Sequence, residues 1–215
     1  MKESNIADNL IVLFLTNNNN TMGLFNWLKE RENVVLVEKP IDIEEIVKRN
    51  PVFVISYNSS HIIPKDVIEY MNGRIINLHI SFLPWNKGSN PNFWSFIDNT
   101  PKGVTIHEVN QGLDTGDILL QEAVEFDENK ETFKSSYDKL HMTIQNLFKN
   151  NWDDIRENKI NKVKQVGEGS YHTMKQFEKL AKANPVNWNE VISNYKQQKV
   201  DEGRNYNDTL WKTKH

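Results

Sequence analysis

The chain has no cysteine in 215 residues, which excludes disulfides, thiolate nucleophiles and cysteine-held zinc and suits a reducing compartment. Long apolar runs are missing as well. None reaches the roughly 18 residues that suggest a membrane span, and the opening MKESNIADN has no signal-peptide core, so the expectation is a cytoplasmic protein with no membrane partner. There is no basic block: 26 Lys and Arg face 29 Asp and Glu, a net charge of −3, which argues against nucleic acid as a partner. No GxGxxG is present, so no dinucleotide cofactor is indicated, and no HExxH-like spacing supports a metal site.

What is present reads as alternating strands and helices. The run 9–15, NLIVLFL, is continuously apolar and bounded by polar residues, as in a strand buried on both faces of a parallel sheet; it is the expected first, central strand. TNNNNT follows as a turn, and apolar residues at helical spacing from Met22 to Leu28 mark a helix. A β-rich run at 34–37, a helix at 41–48, a strand at 52–55, a helix at 66–71 closed by Asn72-Gly73, and a strand at 75–79 continue the alternation. That order predicts right-handed crossovers and an α/β, doubly wound, mostly parallel sheet, with ligands beyond the carboxyl ends of its strands, where the loop 57–64 emerges.

Further on, Ser89-Asn90-Pro91 starts a short helix that 98–101 ends, and strands at 104–109 and 118–126 flank a Gly-containing loop. A long helix over 131–156 carries Phe133, Tyr137, Leu140, Ile144, Leu147 and Phe148 in one stripe suited to packing on the sheet; His141 sits near it with no acidic partner evident. After about residue 160 the chain turns polar and Gly-punctuated. The expected organisation is a core, 1–160, and a C-terminal appendage, 161–215, with short helices near 174–183 and 186–197 and a polar tail from Lys199 in which Leu210 and Trp211 are the apolar exceptions.

The chemistry concentrates between Arg74 and Glu122. Asn77 and His79 lie two residues apart and leave an extended strand on the same face, which therefore cannot be plain core. The strand at 104–109 carries His107, and the loop after it delivers Gly112, Asp114 and Gly116, a carboxylate beside a bend.

The segments NLHISFLP and GVTIHEVNQGLDTGDILLQ resemble the two signature blocks of folate-dependent formyltransferases. WNKGSNPNFWSF between them is most similar to the sugar N-formyltransferases. Two departures are Ile80, where a Pro usually follows the histidine, and Phe82-Leu83-Pro84 in place of Leu-Leu-Pro; neither touches a catalytic side chain. The resemblance implies that Asn77, His79 and Asp114 are catalytic, and that His61, Ile62, Gln111, Gly112 and Leu113 hold the pterin of N10-formyltetrahydrofolate, the co-substrate. It implies as acceptor a nucleoside-diphosphate-linked amino-deoxy sugar, such as dTDP-4-amino-4,6-dideoxyhexose, used in surface polysaccharide (O-antigen) biosynthesis by a homodimeric enzyme.

Taken singly, a buried Asn or His is usually structural and a Gly-flanked Asp a turn former; their joint spacing in the two blocks is what points to chemistry. Asn77 offers an N–H for an oxyanion, His79 a base near neutrality, and Asp114 a group that orients His79 or relays a proton, the division between the last two being open. His107 is expected to brace the Asp114 loop. Trp85, Asn86, Lys87, Asn90, Asn92 and Trp94 offer the acceptor stacking surface, hydroxyl partners and one cation. The appendage is expected to close over the sugar nucleotide or to join two subunits. Alternatives are a glycinamide ribonucleotide formyltransferase and a non-catalytic folate- or nucleotide-binding module.

Overall fold

A computed structural model describes residues 10–201; Leu210 and Trp211 of the predicted tail lie outside the described residues. In chain order the elements are β1 (Ile11–Leu15), α1 (Met22–Lys29), β2 (Asn33–Val37), α2 (Ile43–Arg49), β3 (Phe53–Tyr57), α3 (Lys65–Met71), β4 (Ile75–His79), β5 (Lys87–Gly88), α4 (Pro91–Ile97), β6 (Gly103–Glu108), β7 (Ile118–Ala123), α5 (Phe133–Arg156), β8 (Tyr171–His172), α6 (Met174–Ala183) and α7 (Ile192–Asp201).

A six-stranded sheet runs in the order β2-β1-β3-β4-β6-β7. The first four strands pair in parallel, and β6 and β7 join antiparallel. The sheet is thus mostly parallel, as the alternation predicts. β1 runs between β2 and β3, an interior strand one place in from the edge, and helices cover its apolar side chains on both faces: Val12 and Phe14 join a cluster with α1 and α5, while Leu13 and Leu15 join one with α2 and α3. Of the predicted stripe of the long helix, Leu140, Ile144 and Phe148 are buried in the sheet cluster that includes α1, with Tyr137 and Leu147 packed against it, whereas Phe133 departs from it and joins the third cluster below.

Local signals set the helix ends. Asp42 accepts from the Glu45 amide at 2.8 Å to cap α2, and Thr132 and Ser135 form a capping box at α5. Asn50 and Asn72 close α2 and α3 in the left-handed conformation. Most bounds lie within one or two residues of the sequence reading, and two elements shift further. β7 stops at Ala123, short of Phe126, and the last helix starts at Ile192 because 187–190 form a turn in which Asn187 caps the amide of Asn189.

A third cluster gathers Phe93, Trp94 and Phe96 of α4 with Phe133, Ile192 and Tyr195, so the C-terminal stretch contributes core side chains. That stretch also supplies β8, which pairs in parallel with β5 as a second, two-stranded sheet. Among the described residues, no helix is long and apolar enough to cross a membrane.

Candidate active site

The site begins with the alternation of β4. Ile76 and Leu78 point into the cluster under α1 and α5, so Asn77 and His79 must leave on the opposite face. Antiparallel pairing sets Asn77 opposite His107 and His79 opposite Thr105, which puts His107 on that same face. A β-bulge between Ile106 and His107 in the pairing with β7 adjusts the strand beside the site.

Asp114 reaches this face from the β6–β7 loop, with a backbone φ of 52° that Asp tolerates better than most residues. Its Oδ1 accepts from Asn77 Nδ2 at 3.2 Å and lies 3.4 Å from His107 Nε2. Its Oδ2 accepts from the Gly88 amide at 2.8 Å and lies 3.7 Å from His79 Nδ1. His107 in turn donates from Nδ1 to the Glu108 carbonyl at 2.8 Å, so it stands behind the carboxylate as a brace. One carboxylate on the β6–β7 loop therefore ties together β4, β5 and β6.

His79 Nε2 lies 3.1 Å from the Asn86 carbonyl, which can only accept, so Nε2 carries the proton. The Nδ1 nitrogen is left facing Asp114. Burial lowers the His79 pKa below the ordinary imidazole value, while the Asp114 charge opposes that shift. For Asp114, burial works to raise the pKa, yet His79, His107 and the Gly88 amide together hold it well below the usual carboxylate range. The pair is thus a neutral imidazole with a lone pair on Nδ1 beside an ionised carboxylate. Such a pair can take a proton from an amine and stabilise the imidazolium, with the Asn77 amide a donor for negative charge on a carbonyl oxygen.

The other sequence candidates fall into two groups. Trp85, Lys87 and Asn90 are partly exposed and close in sequence to the Gly88 amide. Asn86, Asn92 and Trp94 are buried, and of the three Asn92 also lines the cavity beside Ile80 described below. Asn86 spends its side chain on Thr100 and Ser170, and Asn92 donates to the Phe133 carbonyl and to Ser136. The Trp94 ring lies flat on His172 with centroids 4.0 Å apart, an internal stack that leaves no face for a base.

On the loops assigned to the pterin, His61 Nε2 donates to the Glu38 carbonyl at 3.2 Å and Gln111 donates to Glu69 at 3.2 Å. Gly112 is tied through its amide to Asn110 Oδ1 at 3.0 Å. Ile62 is 87% exposed and Leu113 53%, two large apolar side chains open to a ligand.

Two features lay beyond the sequence reading. His141 is buried and shares a short hydrogen bond with the Tyr57 hydroxyl, with Tyr137 against its ring. Burial lowers its pKa to about 4. Beside Ile80, the residue after His79, is a cavity of about 370 Å³ lined by Asn20, Phe93, Lys134, Tyr137 and Trp188 among others. Lys134 and Trp188 sit outside the two signature segments, so nothing in local sequence marked them. Among the described residues, no group of three or more metal-ligating side chains is arranged to hold an ion.

The fold and the sequence have counterparts among known proteins. The formyltransferase PseJ of Anoxybacillus kamchatkensis, solved with UDP-4,6-dideoxy-4-formamido-L-AltNAc and tetrahydrofolate, is 38% identical; the match covers 85% of this chain and 96% of that one, with a TM-score of 0.76. A dTDP-4-amino-4,6-dideoxyglucose formyltransferase of Mycobacterium bovis is 32% identical over 138 residues, 64% of this chain and 57% of that protein. A methionyl-tRNA formyltransferase of Thermodesulfovibrio yellowstonii is 34% identical over 132 residues, 60% of this chain; the chain spans only 42% of that relative's length. The sequence model of the Formyl transferase family matches residues 12–150, a stretch that includes β4, β6 and the loop carrying Asp114, and the chain belongs to that family.

Proposed function

We propose that the protein transfers a formyl group from N10-formyltetrahydrofolate to the amine of a nucleoside-diphosphate-linked amino-deoxy sugar. The observation that carries this reading is the likeness to PseJ over 96% of that chain, at 38% identity, because PseJ was solved with a formamido sugar nucleotide and tetrahydrofolate. The site's chemistry agrees. The acceptor amine attacks the formyl carbon, Asn77 donates to the developing oxyanion, and His79 Nδ1 takes the amine proton while Asp114 stabilises the imidazolium. The same proton then returns to the departing folate nitrogen, so His79 ends the cycle neutral. Exposed Ile62 and Leu113 fit the flat, largely apolar face of a pterin, with His61, Gln111 and Gly112 alongside.

For the acceptor, the cavity beside Ile80 combines an aromatic surface at Trp188, a cation at Lys134 and amides at Asn20 and Asn90, the three kinds of partner a sugar nucleotide needs. Trp85 and Lys87 complete the acceptor side. A 4-amino-4,6-dideoxyhexose is the preferred sugar, with dTDP or UDP as its carrier. The same reading makes the enzyme a cytoplasmic homodimer that supplies formylated sugars for surface polysaccharide. A second reading, formylation of methionyl-tRNA, is favoured by the relative that is 34% identical and opposed by the net charge of −3.

The test offers dTDP- and UDP-4-amino-4,6-dideoxyhexoses, glycinamide ribonucleotide and methionyl-tRNA at one concentration of formyl donor. The expected result is a kcat/KM for one sugar nucleotide at least about a hundredfold above the other two classes. A preference for methionyl-tRNA or glycinamide ribonucleotide overturns the assignment. Donor binding without turnover of any acceptor points to the non-catalytic module.

A further inference from the structure

The segment from Val163 to His172 makes a series of contacts with the catalytic loops that ordinary packing does not require. Val163 and Ile118 exchange both backbone hydrogen bonds, at 2.8 and 2.9 Å, which anchors the segment at the start of β7. Two residues on, the Gln165 amide donates to the Asp114 carbonyl at 2.8 Å and to the Gly116 carbonyl at 2.9 Å. Those carbonyls flank the bend in which Asp114 holds a φ of 52°. Gln165 keeps its own Oε1 buried without a partner, so the amide accepts an unsatisfied oxygen and makes the two donor bonds.

Further along, Gly169 has a φ of +67°, and a Cβ on it would lie 1.9 Å from the Pro84 carbonyl oxygen. Only glycine fits this approach, and it delivers Ser170 to Asn86. The Ser170 hydroxyl accepts from the Asn86 amide at 2.8 Å and donates to Asn86 Oδ1 at 3.1 Å, holding that residue from both its main chain and its side chain. Asn86 is the residue whose carbonyl accepts from His79 Nε2. The strand pairing then continues: Lys87 N donates to the Ser170 carbonyl at 2.9 Å and Ser89 N to the His172 carbonyl at 2.8 Å. Between those two bonds sits Gly88, whose amide meets Asp114 Oδ2. At the far end His172 is locked by its stack on Trp94 and a 2.7 Å pair with Asp98.

Three routes from one segment thus end on the two groups that move the proton. We propose that residues 163–172 form a clasp that sets the catalytic geometry, with Ser170 and Gln165 as positioning residues: Ser170 fixes the Asn86 carbonyl that selects the Nε2–H tautomer of His79, and Gln165 fixes the bend that aims the Asp114 carboxylate at Nδ1. Neither side chain touches the reacting atoms. The inference rests on the proposed formyl transfer only for its kinetic consequences; the tautomer of His79 is a property of the protein without substrate.

The physical reason for such a clasp is the 3.7 Å gap between His79 Nδ1 and Asp114 Oδ2. The lone pair must stay on Nδ1, since an imidazole with its proton there has no base to offer the amine. The titratable groups facing His79 are Asp114 and His107; the Asp114 charge beside Nδ1 draws a proton towards that nitrogen, and the 3.1 Å bond from Nε2 to the Asn86 carbonyl is what holds it on the other. A loop free to drift by about 1 Å would lose that selection, and misplacements of this size cost on the order of a hundredfold in rate.

The experiment uses the full chain and two readouts on Ser170→Ala, Ser170→Thr and Gln165→Leu. Long-range 1H–15N spectra of the imidazoles, without substrate, are expected to show His79 as the Nε2–H tautomer in the parent and as a mixture in Ser170→Ala, with Ser170→Thr restoring the parent form. In turnover, Ser170→Ala and Gln165→Leu are each expected to lower kcat about tenfold or more with KM for either substrate within about twofold, and Ser170→Ala to move the acid limb of the kcat profile to lower pH, because imidazolium loses an acceptor. An unchanged His79 tautomer in Ser170→Ala overturns the proposal, as does a raised KM at constant kcat, which would make the segment a substrate-binding lip. If the parent turns over no acceptor while the tautomer responds as stated, the functional reading fails and the clasp stands. Should Gln165→Leu fail to fold, the two Ser170 variants decide the question alone.

Discussion

The side-chain amide of Asn77 donates to Asp114 Oδ1 across 3.2 Å, although 37 residues separate the two in the chain. The bond joins the middle of a buried strand to the tip of a loop, and it places a donor beside the carboxylate that His79 Nδ1 faces. Asn77→Ala removes that donor and, with it, the oxyanion contact proposed for the side chain. Turnover is expected to fall by about 10²–10³, the cost of losing one such donor, with KM for the acceptor little changed. Steady-state kinetics check it, and a rise in KM alone would assign Asn77 to ground-state binding.

Asp114→Asn keeps an oxygen to accept from the Gly88 amide, so the loop stays in place while the charge is lost. The expected outcome is a protein with an unshifted melting temperature and a rate lower by about 10² or more, and the same for His79→Asn. Circular dichroism paired with single-turnover rates separates the two effects. A rate near the parent's would remove the residue from the mechanism.

His141 links pH to stability. Burial lowers its pKa from 6.5 to about 4 in the folded chain. Between those values the unfolded chain binds the extra proton, so stability rises with pH and is lost as pH falls from about 6.5 towards about 4, by up to about 3 kcal/mol. His79, also lowered, contributes with the same sign. Urea unfolding at several pH values, on the parent and on His141→Gln, should show a flatter acid limb in the variant. Parallel curves would assign the pH dependence to other groups.

Lys134 lies at the cavity beside Ile80 and pairs with Asp138 one turn on. If it meets a diphosphate, Lys134→Gln raises KM for the sugar nucleotide about tenfold and leaves kcat within a factor of about two, because the interaction is equal in ground and transition states. The loss should shrink at high salt. A selective loss of kcat would place Lys134 nearer the chemistry than the cavity suggests.

Phe148 is fully buried on the sheet, with its ring 6.3 Å from Trp27 and 5.1 Å from Trp152. Phe148→Ala opens a cavity there and is expected to cost about 3–5 kcal/mol of stability, read as a lower urea midpoint. A cost below about 1 kcal/mol would mean that α5 collapses onto the sheet without it.

Local patterns in the chain already determined most of the frame. The apolar run 11–15 and the alternation in β4 are nearest-neighbour properties of the backbone, and they set which side chains leave on which face. Asn77 and His79 were legible for that reason, and Asp114 because its loop lies in a recognisable block. Tertiary structure alone decided the rest. It packed Asn86 and Trp94 among neighbouring side chains, since a polar or aromatic side chain reads the same in sequence whether it faces a ligand or a neighbouring helix. It brought Gln165 and Ser170 to the loops of Asp114 and Asn86, 51 and 84 residues away, through side-chain hydrogen bonds that leave no periodic trace in the chain. The Nε2–H tautomer of His79 also arises there, because the carbonyl that selects it comes to hand only when β5 is clasped by β8.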